Sequence, residues 1–153
     1  MDVTLLKKVP LFEGLTSSQL QKVAQVAQGR SYEGSALIFR EGDRGDAMFI
    51  IAEGKVRISK TVPGIGEEAL AILEKGQYFG EMSLIEDDSQ RSADAIAHIP
   101  CKVWVLERAR LEHLMFTDKD LAYVMLWTFV RTLSGRLRET NDKIKAFFAI
   151  SKF

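Results

Sequence analysis

"YFGEMSLIEDDSQRSADA", residues Tyr78–Ala95, sets a glycine beside a glutamate, follows them with an acidic loop, and then places a single arginine ahead of small residues. The strand-like run "ILEKGQYF" leads into it, and "MSLIE" has room for one helical turn. A glycine entering such a turn, Gly80, lets backbone N–H groups meet a ligand without side-chain obstruction. Free N–H groups at a helix start favour an anion. Arg91 adds the fixed positive fork that phosphate recognition uses, Ser92 adds a hydroxyl, and Ala93 leaves space for close backbone approach. An ionised Glu81 can only accept hydrogen bonds, so it suits sugar hydroxyls rather than phosphate. With Met82 and Ser83 completing the turn, the segment reads as a small sugar-phosphate site.

Working outward, the region from about Arg30 to Leu106 is punctuated by Gly34, Gly42, Gly45, Gly54, Gly64, Gly66, Gly76 and Gly80. Between them lie "ALIF", "AMFIIA", "KVRISKTV", "EALAIL", "SADAIAHI" and "KVWVL", several of which alternate apolar and polar residues, as Val56, Ile58 and Thr61 do around Arg57 and Lys60. Short strands separated by frequent turn signals predict an antiparallel sandwich or jelly roll. Before this region, Thr16 with Gln19 has capping-box spacing. Leu20, Val23, Ala24 and Ala27 then recur at helical intervals up to Gly29. After it, "ERARLEHLM" predicts a short helix, and Thr117 and Asp120 offer a cap for a long helix reaching about Phe148. In that helix Leu126, Val130, Leu133, Leu137, Thr140, Ile144 and Phe147 step by four and three, a heptad seam. Tyr123, Met125, Trp127 and Phe129 fill the other face, so the helix needs cover on two sides. A homodimer through this seam is expected.

The 153 residues are 46% hydrophobic and 27% charged, and 21 basic residues balance 21 acidic ones. A chain of this size is expected to form one domain, 1–153, with no general charge-driven pull toward nucleic acid or a membrane. The most apolar run, "LAYVMLWTFV", falls far short of a membrane span, and the opening lacks a secretory core. One cysteine, Cys101, excludes an intramolecular disulfide and suits a reducing compartment, so a cytoplasmic protein is expected. Cys101 reads as a small strand residue. His98 and His113 lack metal-ligand spacing, and Glu86, Asp87 and Asp88 read as a solvated loop. "PGIGEE" is a hairpin tip and not a dinucleotide fingerprint. No catalytic constellation is found, and no metal is called for.

"FGEMSLIEDDSQRSADA" resembles the phosphate-binding cassette of the cyclic nucleotide-binding domain. That domain is the sensor module of the catabolite activator family, protein kinase A regulatory subunits and nucleotide-gated channels. "FREGDRGDAMFIIAEGKVRI", residues 39–58, resembles the family's second signature, in which Gly42, Gly45 and Gly54 shape hairpins. "LFEGLTSSQLQKVA", residues 11–24, resembles its N-terminal helix. The resemblance implies a mainly β fold: an antiparallel jelly roll (a double-stranded β-helix) over about 30–107, with an N-terminal helix and a long C-terminal helix within about 108–150. It implies that Arg91 neutralises a cyclic phosphate and that Gly80 and the backbone after it approach ribose and phosphate. Glu81 would hold the ribose 2′-hydroxyl, while Ser92 and Ala93 contribute donors. Ile58, Leu70 and Ala71 fall where the family lines the base pocket. "GRLRETNDK" places Arg136, Thr140 and Asn141 near the base.

The function implied is that of a stand-alone sensor of a 3′,5′-cyclic mononucleotide, cAMP or cGMP, without further cofactor. It would signal through its C-terminal helices to an effector protein. Transcription-factor members continue into a helix-turn-helix domain, whereas this sequence stops at Phe153, so DNA binding is not expected. No kinase, channel or cyclase segment is present. Two alternatives stand beside it: a scaffold that has lost nucleotide binding, and a site for another phosphate ligand such as a cyclic dinucleotide. The apolar tail, Phe147, Phe148, Ile150 and Phe153, reads either as a docked chain end or as a partner-binding patch.

Overall fold

The computed structural model describes residues 1–151; Phe153 of the apolar tail therefore lies outside the described residues. Helix α1 (Val3–Lys7) and a 3₁₀ turn (Pro10–Phe12) precede α2 (Ser17–Val26). The Thr16 capping box is present in full: the Gln19 N–H donates to Thr16 Oγ1 at 3.2 Å, and the Thr16 N–H donates to Gln19 Oε1 at 2.9 Å. The helix ends earlier than the periodicity predicted. Ala27 is already extended, and Gly29 sits inside strand β1 (Gln28–Tyr32), against the Trp104 ring.

Strands β2 (Leu37–Phe39), β3 (Ala47–Glu53), β4 (Val56–Val62), β5 (Gly66–Leu73), β6 (Tyr78–Phe79), β7 (Asp94–Ala97) and β8 (Cys101–Glu107) complete the roll. They form two four-stranded antiparallel sheets, ordered β1-β8-β3-β6 and β2-β7-β4-β5. The architecture is the antiparallel jelly roll that the strand pattern and the resemblance predicted. Strand β1 was not foreseen: it is polar and exists through its pairing with β8. Strand β6 is only the last two residues of the strand-like "ILEKGQYF" and pairs with β3. The alternation along β4 also breaks: Ser59 is fully buried and Thr61 exposed. The register shift beside it lies in β5, where Leu70 is the extra residue between Ala71, opposite Ile58, and Ala69, opposite Ser59.

Strand β3 shows why "AMFII" is apolar throughout. Ala47, Phe49 and Ile51 face the inter-sheet core with Val56, Phe79, Ala95, Val103 and Val105. Met48 and Ile50 face a second core made with the helices, including Leu6, Leu11, Phe12, Leu20, Val23 and Leu106. A strand covered on both faces loses its polar alternation.

After β8 come α3 (Arg108–Thr117) and α4 (Lys119–Ser151). The cap between them is Asp118, whose Oδ1 accepts from the Leu121 N–H at 3.1 Å. Thr117, the residue expected there, lies in the last turn of α3, where its hydroxyl donates back to His113 and Leu114 carbonyls. Helix α4 turns Leu121, Met125, Thr128 and Phe129 into the core. Tyr123 and Trp127 stay exposed, as do Leu126, Val130, Leu137, Thr140, Ile144 and Phe147 of the heptad seam. Phe148 and Ile150 are exposed too. Among the described residues, no helix is long and apolar enough to cross a membrane.

Candidate ligand-binding site

Three stretches of chain converge on Arg91. The first is β6 together with the turn at its end. Phe79 pairs with Phe49, Gly80 takes a left-handed conformation (φ +76°), and Glu81–Leu84 form one 3₁₀ turn. The second is the β2–β3 loop, closed onto the backbone of Ser89 and Arg91 by three bonds. The Arg91 N–H donates to the Asp43 carbonyl at 2.7 Å, the Gly42 N–H to the Arg91 carbonyl at 2.8 Å, and the Gly45 N–H to the Ser89 carbonyl at 2.7 Å. The third is the end of β2, where the Arg91 guanidinium lies over the Phe39 ring at 4.3 Å from its centre. Phe39, Phe49 and Phe79 pack together, the last two stacked at 5.0 Å.

Arg91 is only 8% exposed. It donates to the Ala47 carbonyl at 2.7 Å, to Ser83 Oγ at 2.7 Å, and weakly to the Gly80 carbonyl at 3.4 Å. Of the five N–H groups a guanidinium carries, two are left without a protein acceptor among the described residues. Among those residues it also makes no ion pair. Burial pulls its affinity for a proton below the ordinary arginine range, while Asp46, Asp43 and Glu81 act more distantly in the opposite direction. Arginine does not give up its charge in proteins, and a buried cation is costly unless an anion joins it.

Two glycines make this arrangement feasible. A Cβ on Gly80 would meet Arg91 Nη1 at 2.7 Å, in a backbone conformation that side chains rarely adopt, and one on Gly45 would collide with Ser83 Oγ and the guanidinium.

The cavity above Arg91 is about 240 Å³ and is lined by Gly80, Glu81, Met82, Ser83, Arg91, Ser92, Ala93 and Ile58. All eight are residues the sequence singled out. Phe39, Tyr78, Phe79, Ser89 and Gln90 also line it and were missed. The two phenylalanines read as core, and nothing local marked the others. Arg136 reaches the rim from α4, donating to Glu81 Oε1 at 2.6 Å and to the Met82 sulfur at 3.0 Å. Burial, then the nearby Glu81, raises the Tyr78 hydroxyl above its ordinary range, with Arg136 opposing.

Four predicted residues are not brought to the cavity. Ala71 pairs with Ile58 in the neighbouring strand, and Leu70 is the extra residue at the β5 register shift; both are exposed. Thr140 and Asn141 are exposed on α4, one turn beyond Arg136, and the Thr140 hydroxyl donates to the Arg136 carbonyl. A larger groove of about 870 Å³ runs between Pro10–Gly14 and α4, but its lining holds no buried charge.

The remaining candidates behave as surface or core. Cys101 is buried, and burial pushes its thiol pKa up, away from the thiolate form. His98 Nδ1 lies 2.9 Å from Arg57 Nη1 on the sheet surface, and His113 is exposed. No cluster of metal-ligating side chains occurs among the described residues.

The cyclic nucleotide-binding domain family model matches residues 29–118. The cyclic AMP receptor protein of Thermus thermophilus is 42% identical over 140 residues, covering 89% of this chain and 61% of the relative. A cGMP-dependent protein kinase of Caenorhabditis briggsae is 35% identical over 115 residues, covering 74% of this chain but 15% of the kinase. The chain thus spans less than two thirds of either relative. The crystal structure of the N-terminal domain of a transcriptional regulator from Streptomyces coelicolor superposes with a TM-score of 0.81 at 29% identity, over 92% of this chain and 94% of that one. A jelly roll carrying a buried arginine behind a glycine-led 3₁₀ turn, matched over most of its length by these proteins, belongs to the family of cyclic nucleotide-binding domains.

Proposed function

We propose that this chain senses a 3′,5′-cyclic mononucleotide, cAMP before cGMP, without turning it over. The observation that carries this reading is the Arg91 guanidinium: buried, unpaired by any carboxylate among the described residues, and retaining two free N–H groups at the floor of a small cavity. A cyclic phosphate supplies the single negative charge that such a site needs. Charge-assisted hydrogen bonds contribute about 1.5–3 kcal/mol each. A few of them, with a purine lying on Ile58, reach the roughly 8 kcal/mol of micromolar binding. Glu81, at the mouth, takes the ribose hydroxyl. The preference for cAMP rests on the relative named as a cyclic AMP receptor protein, while the kinase relative is named for cGMP.

The active form is a parallel homodimer. Leu126, Val130, Leu137, Ile144 and Phe147 keep their apolar side chains off the chain's own core, and a heptad seam of this kind is covered by a second copy. Thr140 and Asn141 then lie where two α4 helices meet, near the base. Leu70 and Ala71, exposed in one copy, approach the same edge of the base. Ligand draws the 3₁₀ turn inward. Leu84, which packs in the helical core with Leu111 and Leu121, passes the movement to α3 and α4, and a partner protein reads it. The cytoplasm, where the Cys101 thiol stays reduced, suits this role.

Calorimetry with cAMP and cGMP on the wild type and on Arg91→Leu tests the reading. Micromolar binding by the wild type, weakened at least about a hundredfold in the variant while the melting temperature holds, is expected. No heat at millimolar concentrations of either nucleotide, or equal affinity in the variant, rules it out.

A further inference from the structure

Arg108 is the first residue of α3, a position where a cation opposes the helix dipole. Its side chain is nevertheless only 17% exposed and reaches the cassette. Nη1 donates to the Glu86 carbonyl at 2.7 Å and stands 2.9 Å from Asp87 Oδ1, and Nε lies 3.6 Å from Glu112. Its backbone N–H donates to the Asp46 carbonyl at 2.7 Å. The next carbonyl along, that of Ala47, receives the Arg91 guanidinium. The 3₁₀ turn closes just before this point, where the Ile85 and Glu86 N–H groups both donate to the Met82 carbonyl. Arg91 therefore holds the ligand-facing end of the cassette turn, and Arg108 holds its far end to α3.

A residue that breaks a local preference implies a compensating role elsewhere. The Asp87 carboxylate is 89% exposed, so that ion pair contributes little. The charge-assisted bond to a main-chain carbonyl, from a largely covered guanidinium, is the stronger restraint. It acts on the backbone just past the turn that carries Glu81 and Ser83.

From this geometry we infer that Arg108 is a positioning residue for the nucleotide site, one that presets the cassette turn and links its movement to α3. The inference rests on the proposed nucleotide reading. Arg108 does not line the cavity, so its effect comes through the turn.

The test uses the full chain as wild type, Arg108→Ala, Arg108→Lys and Glu112→Ala. In ligand-free protein, Arg108→Ala is expected to speed amide hydrogen exchange at residues 85–91 at least about fivefold, leaving Leu111–Met115 unchanged. For cAMP, it is expected to lower affinity about tenfold, chiefly through faster dissociation. It is also expected to remove most of the cAMP-induced change in α3 exchange. Arg108→Lys, which retains a charged donor, restores part of each effect. Glu112→Ala, which leaves the cassette bond intact, changes none. Unaltered exchange at residues 85–91 in Arg108→Ala overturns the inference. So does full cAMP affinity with a full α3 response in that variant. If the wild type itself binds neither cAMP nor cGMP, the functional reading fails, and the ligand-free exchange still decides what Arg108 does.

Discussion

Arg136, on the long C-terminal helix, donates to Glu81 Oε1 at 2.6 Å across 55 positions of sequence. This ties α4 to the residue expected to hold the ribose. The two side chains are 43% and 19% exposed. An ion pair this open to solvent is worth about 0.2–1 kcal/mol in stability, so what the pair mainly provides is orientation of the Glu81 carboxylate.

Arg136→Ala is accordingly expected to leave the melting temperature nearly unchanged while weakening cAMP binding about threefold to tenfold. Combined with Glu81→Gln in a double-mutant cycle, the losses should be non-additive by about 0.5–1 kcal/mol. Calorimetry on the four proteins measures this. Simple additivity removes the coupling.

Gly45→Ala is expected to hurt both fold and site. The added methyl meets Ser83 Oγ and the guanidinium carbon of Arg91, the latter at 2.9 Å. Overpacking of this kind costs about 1–3 kcal/mol. Gly135, inside α4, has nothing within 4 Å of an added Cβ, so Gly135→Ala should stabilise by roughly 0.5–1 kcal/mol. Denaturant titration of the two variants should move in opposite directions.

A charge in the seam tests the dimer. Leu137→Asp is expected to convert a sedimenting dimer to monomer with little change in near-ultraviolet circular dichroism, because Leu137 is 63% exposed and touches no core cluster. A wild type that sediments as a monomer at micromolar concentration contradicts the proposed assembly.

Asp118 carries a pH dependence. The Lys22 ammonium 2.7 Å away and the Leu121 N–H it caps hold its carboxyl below the ordinary value of 3.8. A depressed folded-state pKa contributes stability above the unfolded value, and that contribution is lost as pH falls through the folded value. Wild type should therefore melt above Asp118→Asn near neutral pH, and the gap should close as pH falls below the ordinary carboxylate value of 3.8 and through the lowered folded-state value. A gap that stays constant into acid refutes the assignment.

The elements that were legible in the sequence are those written by neighbouring residues. The Thr16–Gln19 box specified the start of α2, and the glycine spacing marked the hairpins. "FGEMSLIEDDSQRSADA" carried the residues that line the cavity. What was not legible depended on partners far along the chain. Asp118 displaced Thr117 as a cap because α3 runs two residues beyond "ERARLEHLM". Strand β1 exists because β8 offers it an edge. Phe39 could not be told from an ordinary core phenylalanine until β2 was laid under Arg91.

By itself, the order of residues determined the local vocabulary: turns, caps, strand alternation, and a glycine, a glutamate and an arginine at a spacing that suits a sugar phosphate. Only the tertiary structure decided that Arg91 is buried with no carboxylate paired to it among the described residues, that Arg108 and Arg136 grip the cassette from two helices, and that the seam of α4 faces away from the core. The physical reason is range. Backbone preference and turn chemistry act over a few residues, whereas burial and charge compensation depend on which distant segments close around a group.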